Sequence, residues 1–267
     1  MPSFQAISRE RHGKKRWVRL SNYRFAAAES VIPLVAAELP KAAMSMPVAF
    51  IEQGAAYVPA AVLGLQPENN VFVAPDWRWV GQYIPAAFRA YPFALAKTED
   101  NQQALCIDED SGLLTDKSSG ELFFADDGQP AQGVLDILNF LDQIEQNRLV
   151  TTVACAALQK HGLIRPWAIR LKSDDSEQQI AGLFQIDETA LNALSSEALF
   201  EIRNAGALSI AYCQLLSMQH LSLLGQLIEA QAKASKQSLA FQQLAPGGEL
   251  DLEFFNKGGT LDFSALR

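Results

Sequence analysis

Apolar residues recur at helical spacing in the second half of the chain, most regularly between residues 134 and 158. Side chains three or four positions apart share one face of a helix. The positions that carry this pattern before Gly162 are Val134, Leu135, Leu138, Leu141, Ile144, Leu149, Val153 and Leu158. The pattern predicts one long helix. Similar patterns predict two more helices over residues 187–194 and 195–230.

Short apolar runs, separated by glycine or by polar turns, dominate the first half. Such runs, rich in Val, Ile and aromatic residues, are typical of strands. The predicted strands are 47–53, 55–65 and 69–76, which form an antiparallel meander, then 92–96 with 103–108, and finally 166–172 with 179–187. Because strands and helices are segregated rather than strictly alternating, the sequence predicts the α+β class.

The pattern divides the chain into four parts. Residues 1–20 form a basic arm, 21–230 a single α+β domain, 231–249 a linker, and 250–267 a C-terminal β-element. In the last part, apolar and acidic residues alternate on either side of "NKGG", as they do in a β-hairpin. An isolated hairpin is marginally stable in water, so we expect it to dock on its own domain or on a second copy in a homodimer.

The charge is unevenly distributed. Six basic residues and a single acid, Glu10, lie between Arg9 and Arg19, although the whole chain carries a formal charge of −8. Contact with phosphate or an anionic membrane surface is one interpretation of this arm. The preferred one is a solvated terminus that is dispensable for folding, anchored at most by Trp17 and Val18. An acidic body argues against a nucleic-acid partner.

The sequence predicts a cytoplasmic protein without a transmembrane segment. No apolar run approaches the roughly 18–20 residues that a membrane span needs, and no secretory signal follows Met1. Cys106, Cys155 and Cys213 are widely spaced, which indicates free buried thiols rather than disulfides or a zinc site. We expect no metal and no cofactor.

The most aromatic stretch, residues 77–96, supplies the candidate ligand-binding residues. They are Trp77, Arg78, Trp79, Tyr83 and Arg89. Either the two indoles stack on Arg78 or Arg89, or they line a cleft that suits a planar or anionic ligand. The other large side chains of the stretch are expected to pack inward, namely Phe88, Tyr91, Phe93 and Leu95.

Catalytic motifs are absent from the sequence. It has no G-x-S-x-G elbow and no glycine-rich phosphate loop. None of the three histidines, His12, His161 and His220, shows the His-x-acid spacing of many non-haem iron sites. His161 is interpreted as a helix-end residue and His220 as a core or interface histidine whose hydrogen bonds are satisfied. The sequence therefore favours a non-catalytic protein, with an enzyme as the alternative.

Several extended segments resemble the SapC family of bacterial proteins. They are "YRFAAAESVIPLVAAELPKAA", "AVLGL", "WVGQYIPAAFRAYPFALA", "LCIDEDSGLLTD", "LFFADDGQP", "LNALSSEALFEIRNAGALSIAYCQLLSMQHLSLL" and the terminal "LDLEFFNKGGTLDF". The resemblance extends from about Tyr23 to Phe263. It is specific for the family and carries no catalytic signature. A peptide-transporter permease of the same name is excluded by the missing spans.

The resemblance implies an accessory role. The family takes its name from surface-layer protein loci, and related genes often lie beside genes for halogenase-like and oxygenase-like proteins. The expected function is thus a cytoplasmic accessory or binding protein that acts with such a partner on a peptide or aromatic ligand. The alternatives are an enzyme, with or without a metal, that acts on a peptide or aromatic substrate, and a structural protein associated with the surface layer.

Overall fold

The computed structural model describes residues 3–97, 103–173 and 176–244. The chain divides into two units, Met1–Ile228 and Glu229–Arg267. The structure combines helices with antiparallel strands that lie in separate sheets, which confirms the α+β class. Every strand pairing among the described residues is antiparallel.

Within the described residues, the strands form four sheets. The largest has the order β10-β13-β4-β5-β3, two three-stranded sheets have the orders β1-β7-β6 and β8-β2-β9, and β11 pairs with β12. The strands are β1 (Phe4–Ala6), β2 (Arg16–Trp17), β3 (Val31–Pro33), β4 (Val48–Gln53), β5 (Ala56–Val62), β6 (Phe93–Lys97), β7 (Gln103–Asp108), β8 (Leu114–Thr115), β9 (Glu121–Leu122), β10 (Ile164–Pro166), β11 (Ile169–Ser173), β12 (Ser176–Ile180) and β13 (Phe184–Ile186).

The helices lie mainly in the second half of the chain, as the periodicity predicts. They are α1 (Arg9–His12), α2 (Leu39–Ala42), α3 (Ala86–Ala90), α4 (Gln132–Lys160), α5 (Glu188–Asn192), α6 (Ser196–Asn204), α7 (Ala207–Ser217) and α8 (Leu221–Leu244). Short 3-10 helices cover Arg24–Ala26, Ala36–Glu38, Glu109–Ser111 and Met218–His220. The predicted helix 195–230 is therefore three consecutive helices, broken at Gly206 and near Met218.

Strands β4 and β5 form the hairpin at the centre of the largest sheet. Gly54 in their turn has a φ of +62°, which glycine adopts without steric cost. Phe50 and Val62 on these strands are fully buried, and α4 and α7 pack on the sheet. The predicted third strand of this meander, 69–76, is instead an irregular segment with one bridge from Val73 to Trp79.

The side chain of Asn70 explains why that segment is irregular. Its amide donates to the carbonyl of Ala26 at 2.9 Å, and its oxygen accepts from the amide of Phe72 at 3.0 Å. A buried asparagine that bonds to the backbone in this way turns the chain instead of extending it. The prediction of a strand over 69–76 is wrong for this reason.

Helix α4 is confirmed, but its buried face differs in part from the predicted stripe. Leu149 and Val153 are exposed, whereas Thr151 and Cys155 are buried. Small side chains on this turn let the helix approach β5 closely. Leu149 and Val153, which are larger, therefore lie on the exposed side of α4 where the helix is nearest to the sheet.

The interpretation of residues 3–20 as a solvated arm is wrong. Strand β1 pairs with β7, and Trp17 lies in the middle strand of a sheet with an exposed fraction of 4%. The Trp17 ring packs edge-on against Phe93, with centroids 4.9 Å apart. Two side chains of the segment, His12 and Trp17, are buried among its basic residues, and a count of charges does not detect them.

The chain beyond residue 230 is described only in part. Residues of the predicted linker 231–249 continue α8 as far as Leu244. Alanine, lysine, glutamine and serine in this segment are compatible with a helix, and no proline intervenes before Pro246. The predicted C-terminal β-element, 250–267, lies outside the described residues, and the boundaries of the four parts stay a prediction.

Candidate functional site

A cavity of about 370 Å³ lies against helix α4 in the first unit. Its walls come mainly from β3, α3, β6 and α4, and Phe4 of β1, Gln53 of β4 and Val58 of β5 also contribute. We call it the main cavity. Most of its lining is apolar: Phe4, Pro33, Leu34, Val35, Val58, Ala86, Ala87, Ala90, Phe93, Ala94, Leu95, Leu141 and Ile144.

Two polar side chains of α4, Thr151 in the lining of the main cavity and Asn147 one turn before it, bond to the backbone of the neighbouring segment. The Thr151 hydroxyl accepts from the amide of Ala36 at 2.8 Å and donates to the carbonyl of Asn147 at 2.6 Å. The Asn147 side-chain oxygen accepts from the amide of Ala37 at 3.0 Å. These bonds satisfy the first amides of the 3-10 helix Ala36–Glu38, so α4 fixes this wall of the cavity.

Glu145 and Arg148 form a bidentate ion pair in the cavity lining. The Arg148 Nε donates to Glu145 at 2.7 Å and its Nη2 donates at 2.5 Å. These hydrogen bonds lower the pKa of the Glu145 carboxyl below its usual value. The pair is charged at neutral pH and half exposed on its arginine side.

Glu38 is the buried carboxylate of the site. Its Oε1 accepts from the Tyr83 hydroxyl at 2.8 Å and from the amide of Ala86 at 2.6 Å, and its Oε2 accepts from the amide of Val35 at 3.0 Å. Only 6% of the residue is exposed. Burial, followed by the charge of Glu38, raises the pKa of Tyr83 to about 12, so the phenol stays a donor. Through these three bonds the buried carboxylate joins two segments of the chain, 35–38 and 83–86.

A second cavity of about 210 Å³ adjoins the first, and we call it the side crevice. Val35, Glu38, Ala86 and Ile144 line both. The side crevice is more polar. Its remaining lining is Ala37, Lys41, Tyr83, Arg89, Phe140, Gln143 and Asn147.

Tyr91 separates the main cavity from a third space of about 520 Å³. Its ring stacks on Phe25 with centroids 3.9 Å apart. The Tyr91 hydroxyl donates to the buried Asp108 carboxylate at 3.0 Å. Burial and this bond raise the pKa of Tyr91 to about 12. This side of the site is acidic, since Glu29 and Asp110 also line the third space.

Three of the five predicted ligand-binding residues lie together. The Trp79 Nε1 donates to the carbonyl of Tyr83 at 2.9 Å, and Arg89 donates to the Tyr83 hydroxyl at 3.3 Å. Trp79 itself stacks on Phe72 and packs edge-on against Phe88, so it supports the side crevice from the core. Tyr83 and Arg89 line the crevice directly.

The other two predicted residues lie apart from these cavities. Arg78 pairs with Asp76 at the surface, and Trp77, at a φ of +66°, is 39% exposed. The guanidinium over the Trp77 ring belongs to Arg24, at 5.3 Å, and neither Arg78 nor Arg89 fills that place. The inward packing of Phe88 and Phe93 is confirmed.

Sequence reasoning missed Glu38, Lys41 and Arg148. The available signal for Glu38 was a single acid inside the apolar run "LVAAELP". Such an acid is rarely left unpaired, so it predicts a buried hydrogen-bond acceptor. Lys41 and Arg148 carry no such signal, because solvated cations occur throughout a chain.

The histidines and cysteines lie outside these cavities. His161 is the residue after the end of α4, and its Nε2 lies 3.0 Å from the Glu201 carboxylate. The Nε2 of His220 lies 3.0 Å from the carbonyl oxygen of Ala43, so this histidine has a hydrogen-bond partner. Cys106 and Cys155 are buried, Cys213 is partly buried, and all three are free. In the described part of the chain, no three His, Cys, Asp or Glu residues cluster as metal ligands would.

No helix within the described ranges combines the length and the apolar character that a membrane crossing requires. A family model described as SapC matches residues 7–224. The match begins inside the segment that the charge pattern set apart as an arm, and it ends before residues 250–263. Neither the curated proteins nor the solved structures contain a match.

Proposed function

The chain belongs to the SapC family, and we propose that it is a non-catalytic binding protein whose ligand places an aromatic or similarly sized apolar group in the main cavity. The observation that carries this proposal is the cavity itself. Its volume of about 370 Å³ lies within the range of about 300–1,000 Å³ that is common for small-molecule sites. A ligand of this class agrees with the peptide or aromatic ligand that the sequence indicates.

The state of the polar side chains supports binding rather than catalysis. Glu38, Thr151 and the Glu145–Arg148 pair already hold hydrogen bonds within the protein. The main penalty for binding an apolar group in such a site is a buried polar group left without a hydrogen-bond partner. Because these polar groups are already bonded within the protein, an apolar group can enter the cavity without that penalty. The same bonds hold the walls in one arrangement before the ligand arrives, and this preorganisation favours affinity.

We also propose a partner protein, a cellular location and an oligomeric state for the chain. A halogenase-like or oxygenase-like partner is implied by the family resemblance, and the peptide or aromatic ligand would be shared with it. A cytoplasmic location is supported by the three free thiols. Homodimerisation rests on the alternating sequence of residues 250–263 alone.

The test uses N-phenyl-1-naphthylamine, an uncharged aromatic dye whose emission rises in apolar surroundings. We expect saturable binding to the full-length protein. Val58→Phe adds a ring to the cavity wall and should weaken dye binding at least about fivefold, because the ring occupies space that the dye needs and crowding the two together is costly.

Val80→Phe is the matched control, since Val80 is exposed and lies outside these cavities. Its dye affinity should equal that of the unaltered protein. Absence of saturable binding, or equal loss in both variants, would place the ligand elsewhere and overturn the proposal.

A further inference from the structure

The side crevice presents four side chains that can donate hydrogen bonds to an anion. Lys41 and Arg89 carry positive charge, and Gln143 and Asn147 carry amide groups. The Asn147 oxygen already accepts from the amide of Ala37, which leaves its NH₂ group as the free end.

The two cations of the crevice are not neutralised by a salt bridge. Among the ion pairs of the described residues, none includes Lys41 or Arg89. The Arg89 Nε donates to the carbonyl of Ile84 at 3.1 Å, and its Nη2 donates to the Tyr83 hydroxyl. Both acceptors are neutral, so the guanidinium keeps its charge and its remaining donors.

Arg89 is nevertheless held in place. Its guanidinium carbon lies 4.9 Å from the centre of the Phe140 ring and 5.8 Å from that of Tyr83. Stacking on two rings restricts the side chain before any ligand binds. A fixed guanidinium with free donors is well suited to a carboxylate, which it can bind with two parallel hydrogen bonds.

Glu38 is the acid in the crevice, and its oxygens are already engaged. It accepts two backbone amides and the Tyr83 hydroxyl, as described above. Two cations against one carboxylate leave the crevice with an excess of one positive charge. A monoanionic head such as a carboxylate neutralises this excess, whereas a doubly charged phosphate would leave one negative charge in the crevice that loses hydration without a partner.

We propose that the side crevice binds the carboxylate of the ligand whose apolar body fills the main cavity, so that the ligand is an amphipathic carboxylic acid. The inference rests on the function proposed above, because it assigns the second half of the same molecule. Val35, Glu38, Ala86 and Ile144 form the wall that the two cavities share, which puts the head and the body of one ligand side by side.

The experiment compares three competitors with one aromatic body. Naphthalene-2-acetate, its neutral amide naphthalene-2-acetamide and 2-naphthyl phosphate are each titrated against dye-loaded protein, and directly by calorimetry. We expect the acetate to bind roughly tenfold more tightly than the amide, as charge-assisted hydrogen bonds would give. In Lys41→Gln and Arg89→Gln this ratio should fall towards one.

Two control variants lie outside the crevice. Lys117→Gln and Arg203→Gln each remove an exposed cation of the same type, and both should keep the ratio of the unaltered protein. Arg89→Lys keeps the charge but loses the planar fork, so we expect an intermediate ratio. Thermal unfolding of each variant verifies that the fold is intact.

The outcomes separate the two proposals. A ratio near one in the unaltered protein, or a ratio that neither crevice variant lowers, overturns the anion site and leaves the main cavity standing. Tighter binding of the phosphate than of the acetate overturns the carboxylate assignment. If calorimetry detects acetate binding that depends on Lys41 and Arg89 while the dye fails to bind, the crevice stands and the main-cavity proposal is overturned.

Discussion

The N-terminal segment and the side crevice use their cations in opposite ways. Arg11 and Arg19 each hold a glutamate from another part of the chain, Glu109 and Glu121. Lys41 and Arg89 have no such partner among the described ion pairs. A paired cation contributes to the fold, whereas an unpaired cation in a cavity is free to bind a ligand. The pairing, which the sequence does not show, distinguishes the two roles.

The largest expected effect comes from breaking the N-terminal segment. Trp17→Ala removes a buried ring and should destabilise the protein by about 3–5 kcal/mol, which lowers Tm by roughly 10 °C. Deletion of residues 1–16 should do at least as much, since it removes β1, α1 and one of the two residues of β2. Trp77→Ala, at an exposed position, is the control for thermal unfolding. If the deletion left Tm unchanged, the N-terminal segment would be dispensable for folding, as the interpretation as a solvated arm predicts.

The next effect concerns the acid between the two cavities. Glu38→Ala leaves the amides of Val35 and Ala86 and the hydroxyl of Tyr83 without their acceptor. The cost should be about 3 kcal/mol, at about 1 kcal/mol or more for each donor. Glu52→Ala is the control, because Glu52 accepts one exposed bond from Tyr57. Equal stability of the two variants would contradict a structural role for Glu38.

Much of the fold could be predicted from periodicity, and much of the site could not. Helix α4 and the β4–β5 and β6–β7 pairs follow from local spacing. The burial of Trp17 depends on its pairing with β8 and β9, about a hundred residues away in the sequence. A local hydrophobic pattern cannot predict a contact between residues so far apart. Tyr83 and Arg89 were identified by residue type, whereas Lys41 joins them only through the fold.

A smaller effect should appear on acidification. The bonds from Arg11 hold the pKa of Glu109 at about 2, below its usual 4.5. The stability that this pair contributes is therefore complete above about pH 4.5 and is lost as the pH falls towards 2. Burial lowers the pKa of His12, so the folded state binds fewer protons than the unfolded state and loses stability below about pH 6.5.

Thermal unfolding between pH 7 and pH 3 measures this dependence. Glu109→Gln should remove the part of the decline below about pH 4.5, and Glu10→Gln, at an exposed position, should leave it unchanged. A decline of the same steepness in both variants would show that other carboxylates control acid unfolding.

The smallest effect is the most direct comparison of the two sets of cations. Arg11→Gln deprives Glu109 of a bidentate partner, so we expect a Tm lower by roughly 2 °C at low salt. Lys41→Gln removes a charge that no carboxylate pairs, and it also removes the repulsion from Arg89, so Tm should stay the same or rise slightly. Because salt screens both terms, the difference between the variants should shrink between about 0.02 M and 0.5 M salt. If Lys41→Gln lowered Tm as much as Arg11→Gln, Lys41 would stabilise the fold through an interaction of its own. Its positive charge would then not be available to a ligand in the side crevice.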